Sequence, residues 1–263
     1  MVQETSADSL KGADCRQFGE SFVFFDSGKG FLRFYYSEND RNMLFELLLL
    51  QYLLYWLMRQ GIYYLHGSCV MFTEPEEVVL FMGRPGAGKT SIALKSVQHD
   101  ARLISDDFML IRKEKEDFVT FRNGTPPHIF PENLESNFPN LKTSASPNIT
   151  KCGKIDIQLE GLPENSSNEG WCFRPQMIVF LNDTFGDRVK VVESDCRQLV
   201  RHIADSIAMV PGFSYKEYFQ FAADLCDQCD VIAVDQLSGI EENYNEIATY
   251  IRARCLDKKE GLV

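Results

Sequence analysis

A chain of 263 residues has room for one large or two small domains and a sizeable core. With 44% hydrophobic and 25% charged residues, its composition is that of an ordinary soluble globular protein. A formal net charge of −11 argues against a nucleic-acid surface, which would be basic.

Residues 1 to 18 are polar and read as a frayed end. Ser21 to Phe25, the glycine-bearing turn from Asp26 to Gly30, and Phe31 to Tyr36 read as an aromatic-rich hairpin. The run from Met43 to Met58 is apolar but broken by Glu46 and Gln51. A membrane span needs ~20 apolar residues, so this stretch predicts a buried or interface helix, with no span. Gly61 to Phe72 reads as one strand carrying His66.

The stretch with the most chemical content follows. Glu77 to Met82 is a short apolar run of strand type, and Gly83-Arg84-Pro85-Gly86-Ala87-Gly88-Lys89-Thr90 fits G-x-x-x-x-G-K-[ST]. Ser91 to Val97 suits a helix. Strand, glycine loop and helix together form a phosphate-binding arrangement, because loop N–H groups and a helix N-terminus make an anion cradle. A Cβ at Gly83 or Gly88 would obstruct close approach to phosphate. Lys89 supplies charge to the β- and γ-phosphates, and the Thr90 hydroxyl is a candidate Mg²⁺ ligand. Residues 83 to 91, including Ser91, are the candidate nucleotide-binding set.

After the helix, Ala101 to Ser105 reads as a strand that delivers Asp106-Asp107 at its C-terminal end. Ligands of open α/β sheets bind at such ends. The pair lies 18 residues past Lys89, one helix and one strand later, which predicts a neighbouring strand end. Adjacent carboxylates on a strand end point in different directions. One is suited to a metal and the other to an acceptor hydroxyl.

Phe108 to Arg112 and Phe118 to Arg122 read as strands around a charged turn. Asn123 to Pro147 reads as a long irregular loop containing Pro126-Pro127-His128, Pro131 and Pro139; loops of that length are uncommon unless functional or mobile. Lys154 to Leu159 is a weak strand, Pro163 to Gly170 a polar loop, and Met177 to Asn182 a core strand. Residues 195 to 208 and 215 to 226 read as helices, Val231 to Asp235 as a last strand, and Ile240 to Arg254 as a last helix. Alternating strands and helices predict an α/β core with a mixed sheet flanked by helices and an N-terminal β-hairpin. The corresponding division is 1–60 for hairpin and apolar helix, 61–255 for the core, and 256–263 for a tail.

Eight cysteines lie at 15, 69, 152, 172, 196, 226, 229 and 255. The N-terminus has no apolar leader segment, which predicts a cytoplasmic protein with reduced thiols. Cys226-Asp227-Gln228-Cys229 lacks a second pair to complete a zinc site and reads as two ordinary thiols near a helix end.

Leu65-His66-Gly67-Ser68, the loop from Gly83 to Thr90, and Arg102-Leu103-Ile104-Ser105-Asp106-Asp107 occur in order. Together they resemble the catalytic domain of HPr kinase/phosphorylase, which shows an L-H-G strand, a G-x-S-G-x-G-K-S loop and an R-L-V-A-D-D strand end. The resemblance spans about residues 60 to 112 and implies the fold shared with ATP-dependent phosphoenolpyruvate carboxykinases. It implies an ATP- and Mg²⁺-dependent kinase acting on a hydroxyl, a serine of a protein or peptide first and a small metabolite next. It also implies Asp107 as general base, Lys89 as phosphate ligand, Thr90 and Asp106 at the metal, and His66 beside the active centre. A homo-oligomer is compatible with it.

The family's E-V-R-G-L-G-like phosphorylase loop has only an echo here, Ile157 to Leu162, which lacks the arginine; Glu160 is its candidate metal ligand. The hairpin and apolar helix before the core look more like HPr-kinase-related proteins of bacterial gene clusters. Two rival classes remain at this point. One is a carboxykinase-like lyase, which needs an arginine cluster. The other is a nucleotide-binding regulator that transfers nothing.

Overall fold

The computed structural model describes residues 13–18, 20–26, 31–35, 37, 43–123, 126–141, 149–150, 153–157, 159, 172–185, 188–194, 196–206, 215–237 and 239–260. The elements begin with β1 (Ala13–Phe18), β2 (Ser21–Asp26), β3 (Phe31–Tyr35) and α1 (Met43–Arg59). Next are β4 (Ile62–Leu65), β5 (Ser68–Thr73), β6 (Glu76–Gly83), α2 (Lys89–His99), β7 (Ala101–Ser105), β8 (Met109–Glu114) and β9 (Asp117–Phe121). They continue with β10 (His128–Ile129), α3 (Pro131–Asn137), β11 (Ile155–Asp156), β12 (Cys172–Phe173) and β13 (Met177–Phe185). The last are β14 (Lys190–Glu193), α4 (Cys196–Ser206), α5 (Tyr215–Gln228), β15 (Asp230–Gln236) and α6 (Ile240–Glu260).

A six-stranded sheet in the order β14-β15-β13-β6-β5-β7 carries the architecture. Strands β15, β13 and β6 run parallel, while β5 is antiparallel to both β6 and β7. Strand β6 is apolar nearly throughout because both its faces are covered. Alternation sends Val78, Leu80 and Met82 toward Leu199, Ile203, Tyr218 and Phe221 of α4 and α5. Val79 and Phe81 face Ile92 and Ala93 of α2 and Ile247, Ala248 and Ile251 of α6. A second, antiparallel sheet has the order β12-β9-β8-β4. Its Met109, Ile111 and Phe118 join the α4/α5 side of the core.

Several sequence expectations are corrected. The predicted N-terminal hairpin is present as β2 and β3, but β1 pairs with β2 to extend it to a three-stranded sheet, so residues 13–18 are paired rather than frayed. Gly61 to Phe72 is two strands: His66-Gly67 is the step at which the chain leaves the second sheet as β4 and enters the first as β5. Strand β5 lies between β6 and β7, so Asp106-Asp107 sits one strand further from the glycine loop than the spacing predicted. Because β5 is antiparallel to both neighbours, β6 and β7 still end at the same edge. Part of the long loop is ordered as β10 and α3; Pro131 opens α3, where its missing N–H costs nothing.

Helix α1 packs on β2, β3 and β4, burying Tyr52, Leu54 and Met58. Among the described residues no helix is long and apolar enough to cross a membrane. Cys226 lies in the last turn of α5, and Cys229 follows it, buried with its Sγ 3.5 Å from the Pro175 carbonyl oxygen.

Candidate active site

The glycine loop joins the C-terminal end of β6 to the N-terminus of α2. Gly83 has φ 148°, and a Cβ there would meet the Leu181 carbonyl oxygen of β13 at 2.6 Å. Its glycine is thus required by strand packing rather than by a ligand. Gly88 adopts φ 87° as the residue capping α2, and the nearest atom to an added Cβ is Gln236 Oε1 at 3.7 Å. There the backbone angle, not space, calls for glycine. From β15 the buried Gln236 amide donates to the carbonyls of Ala87 (3.0 Å) and Asn182 (2.8 Å), fixing the loop to the sheet. Lys89 is buried, its Nζ donating to the carbonyls of Gly83 (3.0 Å) and Arg84 (2.9 Å).

The second component is the end of β7. Asp106 is fully buried and accepts from Ser68 Oγ at 2.5 Å and from Thr90 Oγ1 at 3.1 Å on both carboxylate oxygens. Burial first, and Asp107 second, push its carboxyl above the usual range, while those hydrogen bonds and the His128 backbone N–H oppose the shift. Asp107 has φ 59°, and the Phe108 N–H reaches back over it to the Asp106 carbonyl at 2.6 Å. A non-glycine residue in that region is uncommon, aspartate being among the better tolerated, and such outliers concentrate at functional sites. The turn separates the two carboxylates: Asp106 faces inward to Thr90, and Asp107 lines the cavity.

His66 sits at the step between the sheets. Its Nδ1 is 3.1 Å from the Asp107 carbonyl oxygen, which can only accept, so Nδ1 carries the proton and Nε2 is bare. Burial first, then the Lys89 charge, lower its pKa and keep the imidazole neutral; the Lys154 charge acts in the same direction. The partner is the backbone of Asp107 rather than a carboxylate. Tyr64 donates to the same carbonyl at 3.4 Å, and burial followed by the Asp107 charge pushes its phenol up to about 12, so it remains a donor. Behind His66, His202 of α4 donates from Nε2 to the His66 carbonyl at 2.7 Å, and the two rings stack at 6.3 Å.

One cavity of about 510 Å³ is lined by His66, Asp107, the loop and start of α2, and the β10–α3–β11 region. Of the predicted nucleotide-binding set, Pro85, Gly86, Gly88, Lys89, Thr90 and Ser91 line it; Gly83 and Ala87 are buried away from it, and Arg84 is exposed to solvent outside it. Asp106 is reached through Thr90. Glu160 lies outside the described residues.

Sequence reasoning missed His128, Asn133, Lys154 and Asp156. His128 Nε2 is 2.9 Å from Asp156 Oδ1, and its Nδ1 is 3.7 Å from Asp107 Oδ2. The available pointer was the proline-punctuated Pro126-Pro127-His128 segment in a loop too long to be a plain connection.

Neither a protein-family model nor a curated protein matches the chain. Among solved structures, the Hpr(Ser) kinase/phosphatase from Coxiella burnetii aligns at 14% identity, covering 74% of this chain and 98% of that one, with a TM-score of 0.38.

Proposed function

We propose that this chain is an ATP- and Mg²⁺-dependent kinase that transfers the γ-phosphoryl group to a hydroxyl, with a serine of a protein or peptide as acceptor. The observation that carries the reading is a single cavity lined at one side by Lys89, Thr90 and the N-terminus of α2, and at the other by Asp107. An anion cradle and a carboxylate facing one space are what phosphoryl transfer needs. Residues 61–255 are the catalytic core in this reading.

The donor set suits Mg²⁺. The Thr90 hydroxyl faces the cavity, and the Asp106 carboxylate bonds to it from behind. Both are hard oxygen donors, and the buried Asp106 charge would be relieved by a nearby cation. Bound there, Mg²⁺ would neutralise charge on the phosphate oxygens.

The chain's own residues do the rest. Loop N–H groups and Lys89 bind the β- and γ-phosphates, and Asp107 accepts the proton of the acceptor hydroxyl. The hydroxyl oxygen forms its bond to Pγ as the bond from Pγ to the β,γ-bridging oxygen breaks, and ADP leaves with that electron pair. His66 and Tyr64 hold the Asp107 backbone from behind, so that its carboxylate keeps one aim.

The test is incubation with γ-labelled ATP, Mg²⁺ and serine-containing peptides, followed by mass analysis. A peptide gaining one phosphoryl group on serine is the expected product; ADP release without any phosphorylated acceptor across peptides and small hydroxyl compounds would overturn the reading.

His66→Asn separates a functional from a packing histidine. As a site residue, its loss lowers kcat and alters the pH–rate profile while the melting temperature stays nearly unchanged. A lower melting temperature with normal turnover per folded molecule would make it a packing residue and remove it from the site.

A further inference from the structure

Strands β10 and β11 form a two-stranded ribbon in which His128 pairs with Asp156 and Ile129 with Ile155. Extending that register by one places Phe130 opposite Lys154. The Lys154 ammonium indeed lies 5.8 Å from the Phe130 ring centroid. Alternation then sorts the ribbon into two faces. Ile129 and Ile157 are buried with Leu94, Leu134 and Phe138 on one face. The other presents His128, Phe130, Asp156 and Lys154, three of which line the active-site cavity. A tight turn anchors Lys154 at the head of β11: its N–H donates to Thr150 Oγ1 at 3.0 Å, and its carbonyl accepts from the Thr150 N–H at 2.8 Å.

Lys89 and Lys154 are the permanent cations among the described residues lining that cavity, with no arginine among those residues. Among the described residues no carboxylate pairs with the Lys154 ammonium; Phe130 is its neighbour. Among the described residues Asp107 is the carboxylate that lines the cavity; Asp106 lies buried behind Thr90, and Asp156 stands against His128. A γ-phosphoryl group between the cradle and Asp107 faces that carboxylate on its acceptor side. Transfer spreads charge over the three equatorial oxygens, and a cation aimed at them is worth most in the transition state. Lys89 approaches from the loop. Lys154 lines the same cavity as His66 and Asp107, from the ribbon.

We propose that Lys154 is a second catalytic cation, contacting the transferring phosphoryl group from the ribbon side and stabilising its transition state. This rests on the kinase reading. In it, the ribbon carries a built-in counterpart of the arginine that other phosphoryl-transfer enzymes aim at the same oxygens.

The test uses the intact chain and needs no acceptor. Affinity for Mg·ADP, and for Mg·ADP with aluminium fluoride as transition-state mimic, is measured for wild type, Lys154→Met and Lys154→Arg. Lys154→Met is expected to bind Mg·ADP as the wild type does and to lose ~100-fold in affinity for the mimic, with Lys154→Arg recovering part of the loss. Thermal melts should superimpose, because the side chain lies on the cavity face. Unchanged affinity of Lys154→Met for the mimic overturns the proposal. Equal weakening for Mg·ADP and mimic also overturns it, making Lys154 a ground-state contact. Failure of the wild type to bind Mg·ADP overturns the kinase reading itself.

Discussion

Asp107→Asn is expected to leave nucleotide binding intact and to reduce phosphoryl transfer by roughly two to four orders of magnitude. The swap removes the basic oxygen while keeping shape. Asparagine tolerates φ 59° as aspartate does, so the turn at the end of β7 survives. The Asp107 carbonyl still accepts from His66 and Tyr64, and the phosphate cradle belongs to other elements. Rate and binding should therefore separate, with turnover assayed on the acceptor and affinity measured at equilibrium. Asp106→Asn is the control. Asp106 accepts from Ser68, Thr90 and the His128 N–H, so an amide nitrogen there would face donors. It is expected to lower the melting temperature, which Asp107→Asn is not. If Asp106→Asn abolishes transfer at an unchanged melting temperature and Asp107→Asn retains it, the two roles are exchanged.

Lys89→Ala is expected to lower activity on the order of a hundredfold or more and to weaken nucleotide binding. The ammonium bonds to the carbonyls of Gly83 and Arg84, which is the cradle's own lip. Phosphate oxygens offer it stronger, charge-assisted partners. Removing it deletes the principal positive charge of the loop. Two backbone carbonyls also lose a donor, but the loop remains fixed by Gln236 to Ala87 and by the packing of Gly83 against Leu181. The folded state should persist, as a melt would verify, and an active Lys89→Ala protein would refute the assigned role of the loop.

The reach of sequence reasoning here follows the density of local constraint. Gly83 to Thr90 and Arg102 to Asp107 are short, chemically loaded stretches whose spacing implies one sheet edge, and the structure does bring Lys89, Thr90, Asp107 and His66 to one cavity. What alternation could not reveal was strand order. The insertion of β5 between β6 and β7 depends on tertiary pairing that leaves no trace in either strand's pattern. His66 looked like part of a single strand because apolar residues flank it on both sides, yet Gly67 lets the chain step between sheets there. Half of the ribbon was legible, since β11 lies within the weak strand read from Lys154 to Leu159. Its partner β10 was not: two residues are too few for a period, and Pro126, Pro127, Pro131 and Pro139 mask the segment as loop. Yet Pro131 directly after Phe130 is a helix-start pattern, and α3 does begin there. Gln236 gave no advance sign, since a glutamine at a strand end reads as solvent-facing until the loop it supports is in place.

The central claim is that the mouth between Lys89 and Asp107 holds the phosphates of a magnesium nucleotide. Equilibrium titration of the wild type, Lys89→Ala and Asp107→Asn with Mg·ATP, with and without the metal, tests it most directly. The account predicts saturable, magnesium-dependent binding of one nucleotide per chain, weakened severely in Lys89→Ala and retained in Asp107→Asn. Absence of binding by the wild type, or binding indifferent to Lys89→Ala, would contradict it.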